Sequence, residues 1–185
     1  MARRILLLGP PGAGKGTQAA LIASTLHVPH ISTGDMLRAA VAAGTDLGKQ
    51  VESVMAAGEL VSDSLVVAIV DERLSQEDAR CGYLLDGFPR TVAQAEALND
   101  SVINAISTVV LLEVDTDELV QRLLKRAEEE GRADDNRETI GRRLEVYEAE
   151  TTPLVDFYEV GVLHVDGVGP VNEVFLRIML ALANS

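Results

Sequence analysis

The segment Gly9-Pro10-Pro11-Gly12-Ala13-Gly14-Lys15-Gly16-Thr17 constrains this chain more than any other. It follows the apolar run Ile5-Leu6-Leu7-Leu8 and opens a helix-like stretch from Gln18 to Leu26. A short apolar run, a glycine-rich turn and a helix start form the context in which backbone N–H groups close around phosphate oxygens. The helix N-terminus adds its positive dipole end, and Lys15 adds a compact cation. The pattern predicts a polyphosphate cradle at the end of a buried strand. The bland alternative is a strand-to-helix turn with Lys15 merely exposed. In one respect the segment departs from the general G-x-x-x-x-G-K-[ST] form: Gly16 takes the hydroxyl position and Thr17 follows it. That spacing puts direct Mg²⁺ ligation by a loop hydroxyl in question.

The rest of the chain supplies a matching fold. Arg4 to Leu8 and Thr108 to Val114 are continuous apolar runs, as expected of parallel strands covered on both faces. Shorter strand candidates are Val28 to Ile31, Tyr83 to Asp86 and Val162 to Val165. Between them, helical spacing joins Leu65, Val66, Ile69, Val70 and Leu74, then Leu119, Val120, Leu123 and Leu124, then Val171, Val174, Phe175, Ile178, Met179 and Leu182. Strands alternating with helices predict an α/β doubly wound sheet. Gly44 and Gly58 mark two helix ends; Asp115 with Glu118, and Asp135 with Glu138, have capping-box spacing. Thr152-Pro153 should break or kink the helix that begins near Asn136.

At 185 residues the chain suits one domain with small inserted lobes. Met1-Ala2-Arg3-Arg4 precedes too few apolar residues for a signal peptide, and no apolar stretch reaches a membrane span, so a cytoplasmic protein is expected. Cys81 is the only cysteine, which excludes an intrachain disulfide and a cysteine zinc cluster; a core-filling role is expected for it. A net charge of −13 argues against nucleic acid and anionic membranes as partners. Any anionic ligand must be held by local cations. Lysine stands only at positions 15, 49 and 125, so the cations available elsewhere are arginines, the better forks for phosphate oxygens.

Two polar segments exceed what the alternation needs. Ser32 to Val61 holds two short helices after the second strand, and Arg126 to Asp135, with Glu128-Glu129-Glu130, lies between two helices. Both emerge near the carboxyl edge of the sheet, where open α/β folds bind ligands, and are candidate covers of a site. A solvated helix end accounts for the glutamate run. Asp86-Gly87-Phe88-Pro89-Arg90-Thr91 also follows a strand. Its acid suits Mg²⁺ or the metal's water shell and Arg90 a second phosphate; a helix cap beside a solvated arginine fits as well. Ser32-Thr33-Gly34-Asp35-Met36-Leu37-Arg38 reads either as another binding segment or as an ordinary N-cap.

Taken together, Gly9 to Gln18, Ser32 to Arg38, Gly58-Glu59-Leu60-Val61, Asp86 to Thr91 with Gln94, Gly131-Arg132-Ala133-Asp134-Asp135 and Val165-Asp166-Gly167 closely resemble the adenylate kinase family, in order and spacing, along essentially the whole chain. The resemblance implies a five-stranded parallel core spanning residues 1–185, with an inserted nucleoside-monophosphate lobe at about 32–61 and a lid at about 126–135. It implies reversible transfer of the terminal phosphoryl of Mg·ATP to AMP, giving two ADP. Gly12, Ala13, Gly14, Lys15, Gly16 and Thr17 would bind ATP phosphates, with Arg122, Arg126 and, for the adenine, backbone at Gly169. AMP would meet Thr33, Arg38, backbone at Glu59, Leu60 and Val61, then Gly87, Phe88, Pro89, Arg90 and Gln94. Arg132 and Arg143 would serve the transferring phosphoryl and the AMP phosphate, and Asp86 would hold Mg²⁺ through water. Lys15, Arg90, Arg126, Arg132 and Arg143 are the implied catalytic cations.

Only five residues separate Arg126 from Arg132, so the chain resembles the short-lid form. The acceptor of such a reaction is already anionic, so no general base is required, and structural roles are expected for His27, His30 and His164. A UMP- or CMP-preferring monophosphate kinase is the nearest alternative; Thr33 and Gln94 favour AMP. A nucleotide-dependent switch would have no use for arginines at a second phosphate. Nothing in this reading requires more than a monomer.

Overall fold

The computed structural model of the chain describes residues 3–100, 106–132, 135–158 and 161–185. Met1, Ala2, Ala133 and Asp134, which figure in the leader and lid readings above, lie outside them. The described residues form one five-stranded parallel sheet in the order β2-β3-β1-β4-β5. Its strands are β1 (Arg3–Leu8), β2 (His30–Ser32), β3 (Gly82–Asp86), β4 (Thr108–Glu113) and β5 (Val162–Asp166). The central strand pairs on both sides, Leu6 lying opposite Leu85 on β3 and opposite Val109 on β4.

Alternate residues of β1 enter two separate cores, because successive side chains of a strand point to opposite faces. Ile5 and Leu7 join Leu84, Val110 and Leu112 beneath α1 (Lys15–Leu26), α6 (Thr116–Glu130) and α9 (Val171–Ala183). Leu6 and Leu8 join Leu85, Val109 and Leu111 on the other face, with α4 (Asp63–Leu74) and α5 (Val92–Asp100). The unbroken apolar sequence of β1 is thus two interleaved buried faces. From β1 the chain crosses to β2 on one side, and after β3 it returns past β1 to β4 on the other. The carboxyl end of β1 therefore sits where the winding reverses, the place at which open α/β sheets leave a crevice.

Between β2 and α4 lie α2 (Thr33–Ala42) and α3 (Asp46–Ala56), the two short helices expected there. Each runs one residue past its end into a left-handed glycine, Gly44 (φ 62) and Gly58 (φ 75). After α6 come α7 (Arg137–Val146), a π turn over Tyr147–Thr151 and α8 (Pro153–Phe157). Pro153 has no N–H to continue the α ladder, and the chain widens just before it, with the Thr152 N–H reaching the Tyr147 carbonyl at 2.9 Å.

Four expectations need correction. Asn136, not Asp135, caps α7, its side chain accepting from the Thr139 N–H at 3.0 Å. Asp115 sits at the N-cap of α6 but its side chain makes no capping bond. The segment beginning at Arg126 is not a free connection, because α6 continues to Glu130 and stops only at left-handed Gly131. Cys81 is exposed rather than core-filling, since it precedes the first buried residue of β3.

Candidate active site

The loop after β1 has a shape that only glycine permits at its tightest point. A Cβ on Gly12 (φ +86) would lie 2.9 Å from the Leu119 carbonyl and 3.0 Å from the Leu123 side chain, so the loop is pressed directly onto α6. Lys15, the first residue of α1, folds back and donates from Nζ to the Gly9 carbonyl at 2.6 Å and the Pro10 carbonyl at 2.9 Å. Burial pushes its ammonium down to about 8 from 10.5, against the pull of Asp86 and with added repulsion from Arg90, Arg143 and Arg126. This loop holds a cation under charge strain that a polyanion would relieve.

Asp86 closes β3 beside that loop. The residue is 8% exposed, and its carboxylate lies 3.5 Å from His30 Nε2 and would be 3.6 Å from a Cβ on Gly16. Among the described residues no three His, Cys, Asp or Glu side chains gather as a metal cage. One carboxylate beside a phosphate loop suits a hard cation that keeps most of its water and arrives on a phosphate, as Mg²⁺ does.

The other end of the cleft is built on the turn after β3. Thr33 Oγ1 donates to the Gly87 carbonyl at 2.7 Å, and Arg90 Nε donates to that same carbonyl at 2.8 Å. Gln94 accepts from the Arg90 N–H at 2.8 Å and donates to Asp63 Oδ1 at 2.7 Å, so both ends of its amide are engaged in holding the turn. Thr151, on the π turn, donates to the Arg90 carbonyl at 2.8 Å. Arg38 lies over Gly34 and pairs with Asp35 at 2.5 Å.

Between the two ends stand the arginines of α6 and α7, with Arg132 between those helices. Asp135, 0% exposed, takes two of the Arg126 nitrogens, Nε at 2.6 Å and Nη2 at 2.8 Å, and also Arg143. Burial alone would raise this carboxyl, but the Arg126 bonds and the Arg126, Arg143 and Arg132 charges outweigh it and hold it below its ordinary value. Arg132 donates to Glu130 at 2.6 Å, so the glutamate run is not purely solvated. Arg122 pairs with Glu118 at 2.8 Å and donates from both terminal nitrogens to the Gly167 carbonyl. The cleft is thus lined with arginines held by the protein's own oxygens, an arrangement that a nucleotide phosphate can enter by exchange.

One cleft of about 1080 Å³ brings together Gly12 to Thr17, Thr33, Arg38, Glu59 to Val61, Asp86, Gly87, Pro89, Arg90, Gln94, Arg122, Arg126, Arg132, Arg143 and Gly169. Phe88 is the exception: it is 1% exposed, belongs to the core beneath β3, and does not line the cleft. The Phe88-Pro89 peptide bond is cis. His27 and His164 bond Ser24 and Glu113 away from the cleft, whereas His30 lines it. Sequence reasoning passed over Asp63 and misread Asp135. Asp63 lies 31 residues from Gln94 and gave no signal; Asp135 stands three residues after Arg132, so a search for acids among the clustered arginines would have found it.

A phosphate loop at the reversal of a parallel α/β sheet, facing a second cation cluster across one cleft, defines a P-loop protein of the phosphotransferase class. The family model described as adenylate kinase matches residues 7–162. The chain is 50% identical over 184 residues to an adenylate kinase of Thermobifida fusca, covering 97% of each. It is 50% identical to one of Stenotrophomonas maltophilia strain K279a, covering 97% of this chain and 98% of that protein. A Xanthomonas campestris pv. campestris adenylate kinase is 51% identical over 185 residues, again 97% and 98% covered. The chain belongs to the adenylate kinase family.

Proposed function

We propose that this chain transfers the terminal phosphoryl of Mg·ATP to AMP, reversibly, giving two ADP. The observation that carries the reading is the two-ended cleft: Lys15 and its loop at one end, Arg90 and Arg38 at the other, and Arg126, Arg132 and Arg143 along it. ATP phosphates would lie on Gly12 to Thr17 with Arg122 and Arg126, and the adenine against Gly169. AMP would lie among Thr33, Arg38, Glu59 to Val61, Gly87 to Arg90 and Gln94, Phe88 contributing support from the core.

Chemistry follows from charge. A phosphate oxygen of AMP, already anionic, forms the new O–P bond; the bond from the γ-phosphorus to the β–γ bridging oxygen breaks, and its electron pair leaves with ADP. No side chain need take a proton. The obstacle is the approach of two polyanions, which positioning and fixed positive charge overcome. Mg²⁺ carried by ATP would supply further charge stabilisation beside Asp86. Lys15 would exchange the Gly9 and Pro10 carbonyls for phosphate oxygens, and the guanidiniums on Asp135 would turn the same face to the moving phosphoryl. Residues 32–61 and 126–135 serve as the lobes that close over the substrates and exclude water, the competing acceptor. We place the reaction in the cytoplasm and in a single chain; no helix among the described residues is long and apolar enough to cross a membrane.

Equilibrium binding tests the two-ended site. One ATP and one AMP should bind per chain, and a bisubstrate nucleotide should displace both and slow hydrogen exchange at Gly131, Arg132 and Asp135. A single nucleotide site per chain, or unchanged exchange at those amides, refutes the arrangement.

A further inference from the structure

The loop from β5 to α9 is held by three side chains from three helices. The Asp166 carbonyl accepts from Arg177 Nη1 at 3.0 Å, and the Val168 carbonyl accepts from the same nitrogen at 2.6 Å. The Gly167 carbonyl is taken by Arg122 of α6 at 3.1 and 3.2 Å. The Pro170 carbonyl accepts the Glu173 and Val174 N–H groups at the start of α9, and Gln18 of α1 donates to the Val171 carbonyl at 2.9 Å. The Gly167 N–H reaches the Glu113 carbonyl and the Val168 N–H the Asp166 carboxylate. Through this stretch, only Gly169 has an N–H and a carbonyl with no partner among the described residues, and Gly169 lines the cleft.

The Gly169 N–H shares its peptide plane with the Val168 carbonyl, so it stays open to the cleft while Arg177 fixes the plane that carries it. Gly169 has φ +118, a conformation that a side chain would resist, and a Cβ built there would lie 3.6 Å from Arg177 Nη2. Arg177 itself does not line the cleft; it stands behind the loop, tethered also to Asp166 Oδ2 at 3.4 Å and Glu173 at 3.7 Å. A fixed peptide presents one pattern of donor and acceptor to whatever ring lies against it. A peptide free to turn can satisfy either an amino or an oxo edge, so loss of the tether costs discrimination before it costs catalysis.

We propose that Arg177 is a positioning residue for the donor base: by holding the Asp166 and Val168 carbonyls it keeps the Val168–Gly169 peptide, and with it the open Gly169 N–H, in one orientation and thereby sets the preference for a 6-amino over a 6-oxo purine. The proposal rests on the reading that Gly169 meets the adenine of the donor.

The test compares ATP with ITP, in which the 6-amino group and bare N1 of adenine become a 6-oxo group and an N1–H, as phosphoryl donors to saturating AMP. In wild type, ATP is the preferred donor. In Arg177→Met the KM for ATP rises about tenfold and the ATP-to-ITP preference in kcat/KM falls by about the same factor, while kcat with ATP and the KM for AMP stay within about twofold. Arg177→Lys, whose ammonium can still donate to the Val168 carbonyl, recovers part of the preference. An Arg177→Met protein that keeps the full ATP-to-ITP ratio overturns the proposal. So does one that loses kcat with both donors in equal proportion, the mark of a merely structural residue. A wild-type enzyme that uses ATP and ITP equally well would instead refute Gly169 as the base contact, and the proposal with it.

Discussion

Lys15 should take up a proton when a nucleotide binds. In the nucleotide-free chain its ammonium, buried among the loop carbonyls, titrates at about 8 instead of 10.5. The difference corresponds to about 3 kcal/mol in favour of the neutral amine. A triphosphate places compensating negative charge against Nζ and returns the titration to its ordinary range or above. At pH 8 about half of the free molecules carry a neutral Lys15, so binding of Mg·ATP takes up about 0.5 proton; the uptake is about 0.1 at pH 7 and about 0.9 at pH 9. Affinity falls correspondingly, by about tenfold at pH 9 relative to neutral pH. Stability of the free protein runs the other way. A base whose folded value is lowered binds fewer protons folded than unfolded between about 8 and 10.5, so its contribution to stability rises with pH across that window. The assay is calorimetric titration at pH 8 in two buffers of different ionisation enthalpy, with Lys15→Met alongside at higher ligand concentration. The ATP phosphates have lost their last proton well below pH 8, so the ligand contributes none. No uptake in wild type, or the same uptake in Lys15→Met, would refute the argument.

Three further outcomes are expected. Arg90→Ala removes a cation whose backbone stays pinned by Gln94 and Thr151, so circular dichroism is unchanged while kcat/KM falls by about a hundredfold or more. Asp135→Asn withdraws the charge that aligns Arg126 and Arg143; turnover drops, and the stability it costs, measured by denaturant titration, is present above pH 3.8 and vanishes as the pH falls through the lower folded value. Leu123→Ala empties a fully buried position against Gly12, which should cost about 2–5 kcal/mol in unfolding free energy and raise the KM for ATP more than that for AMP.

Much of the scaffold was legible because parallel strands buried on both faces leave continuous apolar runs, as at Ile5 to Leu8 and Val109 to Leu112. The phosphate loop was legible for a local reason: its function is written in backbone freedom and one cation, both of which appear in consecutive residues. What escaped was settled through space. Asp135 has the spacing of a helix cap, yet two guanidiniums from α6 and α7 claim its carboxylate and leave the cap to Asn136. Gln94 lines the cleft as the AMP reading requires, but its sequence neighbours do not show that Asp63 and the Arg90 N–H engage its amide in holding the turn. Phe88 lies within a binding motif and still points into the core. Arg177 carries no motif; only the folded loop shows which carbonyls it holds.

Passage of a phosphoryl group from ATP to AMP within one cleft is read out by ADP formation from ATP and Mg²⁺ with AMP, UMP, CMP and GMP offered in turn, for wild type and Lys15→Ala. Rapid turnover with AMP alone, lost in the variant, is the expected result. Comparable turnover with UMP or CMP, or no transfer to any acceptor while ATP still binds, would contradict it.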